Sequence, residues 1–174
     1  MGASIQPTGV EVFFDEDDLI VSKTDLKGRL TYANRTFCQI AGYRESEVLG
    51  QPHSMIRHPD MPRAVFRLLW EAILEGREIF AYVKNMTKCG DHYWVFAHVT
   101  PSRDASRAVA GFHSNRRVPN RRALEGTIVP LYRELAREEA AHHNAKDGLA
   151  ASVARLNQIL AGQGKAYDEF IFSL

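Results

Sequence analysis

The sequence predicts an α+β fold: an antiparallel sheet with short helices gathered on one face, followed by C-terminal helices. Two observations carry that expectation most directly. Residues 79–87 and 92–100 are long runs of β-type residues, and Cys89-Gly90-Asp91 between them reads as a hairpin turn. Residues 62–75 repeat Val65, Leu68, Leu69, Ala72 and Ile73 at helical spacing, with Phe66 and Trp70 four apart on an adjoining face. A third is the order of elements, which runs strand, strand, helices, then three strands.

Residues 1–18 read as a polar, then acidic arm in which Val12, Phe13 and Phe14 can dock. Residues 19–23 and 29–32 form a hairpin around Asp25-Leu26-Lys27-Gly28. Asn34 caps a helix over 35–41, with Phe37, Ile40 and Ala41 on one face and Gly42 at its end. Ser46 caps a helical turn to Leu49, stopped by Gly50 and Pro52. In the second half of the domain, residues 107–115 supply the fifth strand, so a domain-sized unit spans 19–117. Residues 118–174 form a helical extension. A helical region to about Asn144 is interrupted by Gly126 and Pro130, and Asp147 caps a second helix over 148–161. An aromatic tail follows, with Tyr167, Phe170 and Phe172.

Composition excludes several classes. A net charge of +1 over 174 residues gives no global basic field, so no nucleic-acid partner is expected. The two cysteines, Cys38 and Cys89, form no CxxC, which fits a reducing, cytoplasmic compartment. No apolar run approaches the roughly 20 residues that span a bilayer, so no membrane insertion is expected.

Met55-Ile56-Arg57-His58-Pro59-Asp60-Met61-Pro62 is the stretch richest in chemistry. Two prolines stiffen a backbone that carries Arg57, His58 and Asp60 just ahead of a helix. Read alone, it is equally an anion clamp or a turn with a surface ion pair. Trp70 read alone is core. Arg116-Arg117 and Arg121-Arg122 read as solvated linker.

Tyr32-Ala33-Asn34, Phe37, Ala41-Gly42-Tyr43, Gly50-Gln51-Pro52 and Gly90-Asp91-His92-Tyr93-Trp94 resemble a PAS domain. With Arg57-His58-Pro59-Asp60-Met61-Pro62, Trp70 and Val83-Lys84-Asn85 added, residues 19–117 closely resemble the PAS domain of bacterial aerotaxis receptors. The resemblance implies a five-stranded antiparallel sheet and non-covalent FAD. It also implies a redox sensor, reporting indirectly on oxygen, that signals to chemotaxis machinery. It assigns Arg57, His58, Asp60 and Trp70 to FAD support, Asn85 to the ring and Asn34 to the pocket. Ala81, Val83, Val95 and Ala97 would form a flat floor for the ring.

His113 stands where flavin light sensors of the LOV type carry a glutamine. It either reads the flavin N5/O4 edge or lies on the outer sheet face. A light-driven adduct is not expected, because the clamp region has no cysteine. With no membrane anchor in the sequence, a separate partner is expected, a chemoreceptor or other signalling protein, with the chain as a homodimer. His92, Trp94, Phe96 and His98 alternate on the face away from the flavin and would pass the change to the helices after Val118. No second acid/base constellation points to an enzyme. Two rival readings remain: a haem sensor using His53 or His58 as axial ligand, and a cofactor-free PAS interaction module.

Overall fold

A computed structural model describes residues 5–174. Five strands form one antiparallel sheet: β1 (Ile20–Thr24), β2 (Leu30–Ala33), β3 (Ile79–Met86), β4 (His92–Arg103) and β5 (Val109–Arg117). Their spatial order is β2-β1-β5-β4-β3. Paired residues in an antiparallel ladder share a face. Ala81↔Ala97, Val83↔Val95 and Asn85↔Tyr93 therefore mark an inner face, and Phe80↔His98, Tyr82↔Phe96 and Lys84↔Trp94 an outer one. Both faces of β3 and β4 are covered, which is why apolar residues fall on each side of these strands.

The inner face carries α1 (Arg35–Ala41), α2 (Glu45–Val48), a 3-10 turn (His53–Ile56) and α3 (Arg63–Leu74). Asn34 joins this layer to the sheet. Its carboxamide oxygen accepts from Phe37 N–H at 2.9 Å and Val21 N–H at 3.0 Å, and its Nδ2 donates to the Leu19 carbonyl at 2.7 Å. Ser46 is not the cap of α2: the Glu47 carboxylate accepts from Arg44 N–H at 2.8 Å instead.

β3 is an edge strand, and its free backbone groups need cover. The clamp segment supplies part of it. Arg57 bridges Asn85, His58 N–H donates to the Lys84 carbonyl at 3.4 Å, and Lys84 N–H donates to Met61 Sδ at 3.2 Å. The Tyr132 hydroxyl donates to the Tyr82 carbonyl at 2.7 Å. The N-terminal arm runs beside β4, with Val12 N–H donating to the His92 carbonyl and His92 N–H to the Val10 carbonyl.

The C-terminal part holds α4 (Arg121–Ala123), a π-turn (Leu124–Ile128), α5 (Val129–Ala140), α6 (Ala145–Gly162) and α7 (Tyr167–Phe172). The expected interruption at Gly126 and Pro130 does not occur. A proline ring collides with the carbonyl four residues back, here that of Gly126. The π-turn, closed by Val129 N–H to the Leu124 carbonyl, widens the helix there and absorbs the conflict. Nor does Asp147 cap α6: Asn144 Oδ1 accepts from Asp147 N–H at 2.8 Å, and the helix starts earlier than expected. Among the described residues no helix is long and apolar enough to cross a membrane.

Asn34→Ala removes the N-cap bond of α1 and the two bonds that tie it to the β1 segment. It should lower stability by about 2 kcal/mol or more, read as a fall in the urea midpoint at unchanged m-value. An unaltered midpoint would show that Asn34 is not a tie.

Candidate functional site

A cavity of about 270 Å³ lies between the inner sheet face and α3. Phe66, Leu69, Trp70 and Ile73 line it from α3; Val83, Ala97, Val99 and Phe112 line it from the sheet. These come from successive turns of one helix and alternate positions of neighbouring strands, so both walls are apolar. Trp70 stands edge-on to Phe112, ring centroids 5.7 Å apart. Its indole also lies where a Cβ on Gly28 would be, at 3.0 Å. Gly28 has φ +75°, so the turn needs glycine for both conformation and space.

One end of the cavity is polar. Asn85, Ser114, Arg116, His53 and Ser22 converge there. Arg116 is 3% exposed. Its Nη2 donates to Ser22 Oγ at 2.9 Å and contacts His53 Nε2 at 2.6 Å, and its guanidinium lies 5.8 Å from the Phe37 ring centre. Among the described residues no carboxylate pairs with it. Burial lowers its pKa to about 10, so it remains a cation at neutral pH. An arginine only donates, so His53 Nε2 must accept and the imidazole is neutral. Burial and the Arg116 charge push the His53 pKa down to about 3, in agreement.

Arg116 Nη1, Asn85 Nδ2 and Ser114 Oγ are buried without a hydrogen-bond partner among the described residues. Buried polar groups are nearly always satisfied, and a cluster of exceptions at one cavity end marks a place for a ligand with acceptor atoms. Two further cations line the cavity. Lys27 is exposed and Arg57 half-buried. Arg57 sits 4.2 Å from the Phe66 ring centre and donates to the Met61 carbonyl at 3.0 Å.

Of the residues singled out in the sequence, Arg57, Trp70 and Asn85 line the cavity. His58, Asp60, Asn34 and His113 do not. His58 is buried against His92, ring centroids 5.7 Å apart, and its Nδ1 accepts from Asp60 N–H at 3.1 Å. Asp60 pairs with Lys84 at 2.7 Å. These two hold the clamp's far side to the outer sheet face. Asn34 is the tie described above. His113 pairs with Thr100 and Lys23, which puts it on the outer face, so the option of its reading a ring edge is corrected. The inward residues of that strand are Phe112, Ser114 and Arg116. Arg116, which the sequence places in a solvated linker, is the most buried charge at the site. Alternation from Gly111-Phe112 was the signal that could have found it.

His58, which is buried, and His53, which is held against the Arg116 charge, set a pH dependence. His58 is held at about 4, by burial first and then the Lys84 charge, and His53 at about 3, against 6.5 when unfolded. Below 6.5 the unfolded chain therefore binds more protons than the folded one. Stability is complete above that pH and falls on acidification, by up to about 1.4 kcal/mol per pH unit for each histidine. Urea midpoints should drop between neutral and mildly acidic pH, and His53→Gln or His58→Asn should flatten the slope. Parallel slopes in all three proteins would contradict the assignment.

Comparison with known proteins agrees with this geometry. The family described as PAS fold matches residues 30–116. The aerotaxis receptor of Escherichia coli K12 is 40% identical over 120 residues, covering 69% of this chain and 23% of that protein. The biofilm dispersion protein BdlA of Pseudomonas aeruginosa is 32% identical over 81 residues, covering 46% of this chain and 19% of that protein. The chain thus spans about a quarter or less of the length of these relatives. Among solved structures, the light state of the blue-light photoreceptor Aureochrome1 LOV superposes with a TM-score of 0.56 at 21% identity, covering 64% of this chain and 89% of that one, which speaks for the fold alone. The matched residues hold all of β2 to β4 and nearly all of β5, with the helices that wall the cavity, and on that ground the chain belongs to the PAS fold family.

Proposed function

We propose that this chain is a cytoplasmic redox sensor that holds FAD non-covalently in the cavity and reports its oxidation state to a separate signalling protein. The observation that carries the reading is Arg116: a buried cation, without a counter-ion among the described residues, whose free Nη1 meets the cavity beside Asn85 and Ser114. Flat apolar walls suit a planar ring. The polar end suits a ring edge bearing carbonyl and nitrogen acceptors, and a cation there favours a ring that gains electrons.

The volume sets the pose. At about 270 Å³ the space is near the lower limit for small-molecule sites, enough for a ring and not for a dinucleotide. The phosphates then lie at the mouth, where Arg57 and Lys27 stand. Arg57 offers the bidentate geometry that phosphate favours. His58 and Asp60 act indirectly, holding the Arg57 segment to β3. FAD rather than FMN follows from the resemblance to aerotaxis receptors. When bound, the flavin supplies reversible electron uptake with a change of charge on the ring. Asn85 can meet either state, because its amide both donates and accepts.

The same likeness supports a chemoreceptor or other signalling protein as partner, a homodimer, and a sensing rather than catalytic role. Haem is disfavoured by the site itself. His53 Nε2 already meets the Arg116 guanidinium, and His58 lies outside the cavity.

The protein purified in full should be yellow and release FAD on denaturation. Arg116→Met should weaken flavin binding by about 10- to 150-fold, since hydrogen bonds to a charged group are worth about 1.5–3 kcal/mol. The same change should leave the flavin-free protein equally or more stable, because an unpaired buried charge is removed. A colourless protein after reconstitution, a Soret band, or full flavin content in both Arg116→Met and Asn85→Ala would overturn the reading.

A further inference from the structure

The N-terminus of α3 is capped from outside its own segment. Pro62 provides no side-chain cap. The carboxylate of Glu139, on α5, does so: Ala64 N–H donates to Oε1 at 3.0 Å and Arg63 Nε to Oε2 at 3.0 Å. Arg63 Nη1 also donates to the Ala145 carbonyl at 2.9 Å, which fastens the first residue of α6. The Glu139 side chain is only 10% exposed. At this junction Gly148 of α6 lies so close that a Cβ would strike the Glu139 carbonyl and crowd the Arg63 guanidinium. The α5–α6 hairpin is therefore fitted onto the helix that presents Phe66, Leu69 and Trp70 to the cavity.

Arg57, on the cavity wall, reaches the same helix end: its Nη2 donates to the Met61 carbonyl at 3.0 Å, two residues before Arg63. Burial lowers its pKa, the Glu139 charge opposes that, and the Arg63 charge adds to it. Glu139 thus pairs directly with Arg63 and acts on Arg57 through space, and of the two arginines only Arg57 faces the cavity.

We infer that Glu139 is an internal counter-anion for Arg57 and Arg63, so that a phosphate group seated on Arg57 weakens the docking of the α5–α6 hairpin on α3. The inference rests on the proposed reading of the cavity as a flavin site with its phosphates at the mouth. A second negative charge at Arg57 repels Glu139 and draws on the same cationic pair. Linkage makes the effect reciprocal: a docked hairpin weakens phosphate binding by the factor by which phosphate loosens the hairpin. The ring enters the cavity without this penalty. Occupancy by a phosphate-bearing ligand and release of the C-terminal helices become one equilibrium.

Hydrogen exchange on the full chain tests this without any variant. Amides of Ala145–Gly162 should exchange about fivefold faster with FAD or FMN bound than with neutral riboflavin bound. Glu139→Gln keeps an acceptor for Ala64 N–H and removes the charge. It should abolish that difference and tighten FAD by a similar factor, leaving riboflavin affinity unchanged. Gly148→Ala should raise exchange in the hairpin with no ligand present. Equal exchange with FAD and riboflavin, or an unchanged FAD affinity in Glu139→Gln, would overturn the inference and leave the flavin site standing. If no flavin binds, the flavin reading fails by itself. Inorganic pyrophosphate at millimolar concentration then serves as probe, and faster hairpin exchange supports the coupling while unchanged exchange ends it.

Discussion

Holding a guanidinium inside a protein, with no carboxylate beside it among the described residues, is the constraint on which the rest of the structure depends. Desolvating an isolated charge is costly, and proteins normally pair or expose it. Here the neutral imidazole of His53, the Ser22 hydroxyl and the Phe37 ring partly replace water around Arg116. None of them carries negative charge. The fold tolerates the deficit because Arg116 sits near the end of β5, where the strand delivers it to the cavity's rim rather than to close-packed core. Asn85 and Ser114 share the deficit, each with one buried atom left open. These three incomplete groups share one lining, which is the part of the cavity that the flavin reading gives to the ring edge.

Keeping that space open requires rigid props. Trp70 spans from the Gly28 turn to Phe112 and holds α3 off the sheet at one end. At the other, the clamp segment is bonded along the β3 edge, so Arg57 and Asn85 are fixed relative to each other through a backbone bridge. The His58–Asp60–Lys84 cluster secures this segment from behind. Residues that never face the cavity thereby set its width.

Much of this was legible in the sequence, and the failures have physical causes. The five strands, in their order along the chain, and the α1 and α3 helices follow from alternation, helical spacing and caps. Arg57, Trp70 and Asn85 line the cavity, and it was the resemblance that singled them out: Trp70 read alone is core. His113 was given an inward option because register along β5 is weakly marked. Its residues alternate polar with polar, and a one-residue slip exchanges the faces. The same ambiguity hid Arg116, since an arginine pair beside a proline looks like linker. The helix through Gly126 and Pro130 was misread because the rule that proline breaks helices assumes four-residue hydrogen bonding, and the π-turn escapes it. Glu139 could not be found by pattern at all. Its partner lies 75 positions away, and only the folded chain brings them together.

The course of α5 gives the sensor reading its geometry. Near its start, Tyr132 packs against Trp94 and bonds the Tyr82 carbonyl on the outer side of β3. Near its end, Glu139 caps α3 in the inner layer. A single helix therefore crosses the sheet's edge and touches both walls of the cavity through different partners: the strand that carries Asn85 and the helix that carries Trp70. Displacement of either wall is felt by the same rigid rod, and opposite displacements tilt it. A cavity read out from one wall would report only that something is bound. On the sensor reading, contact with both walls is what would let the hairpin separate a ligand that fills the space from one that also changes the charge at its polar end.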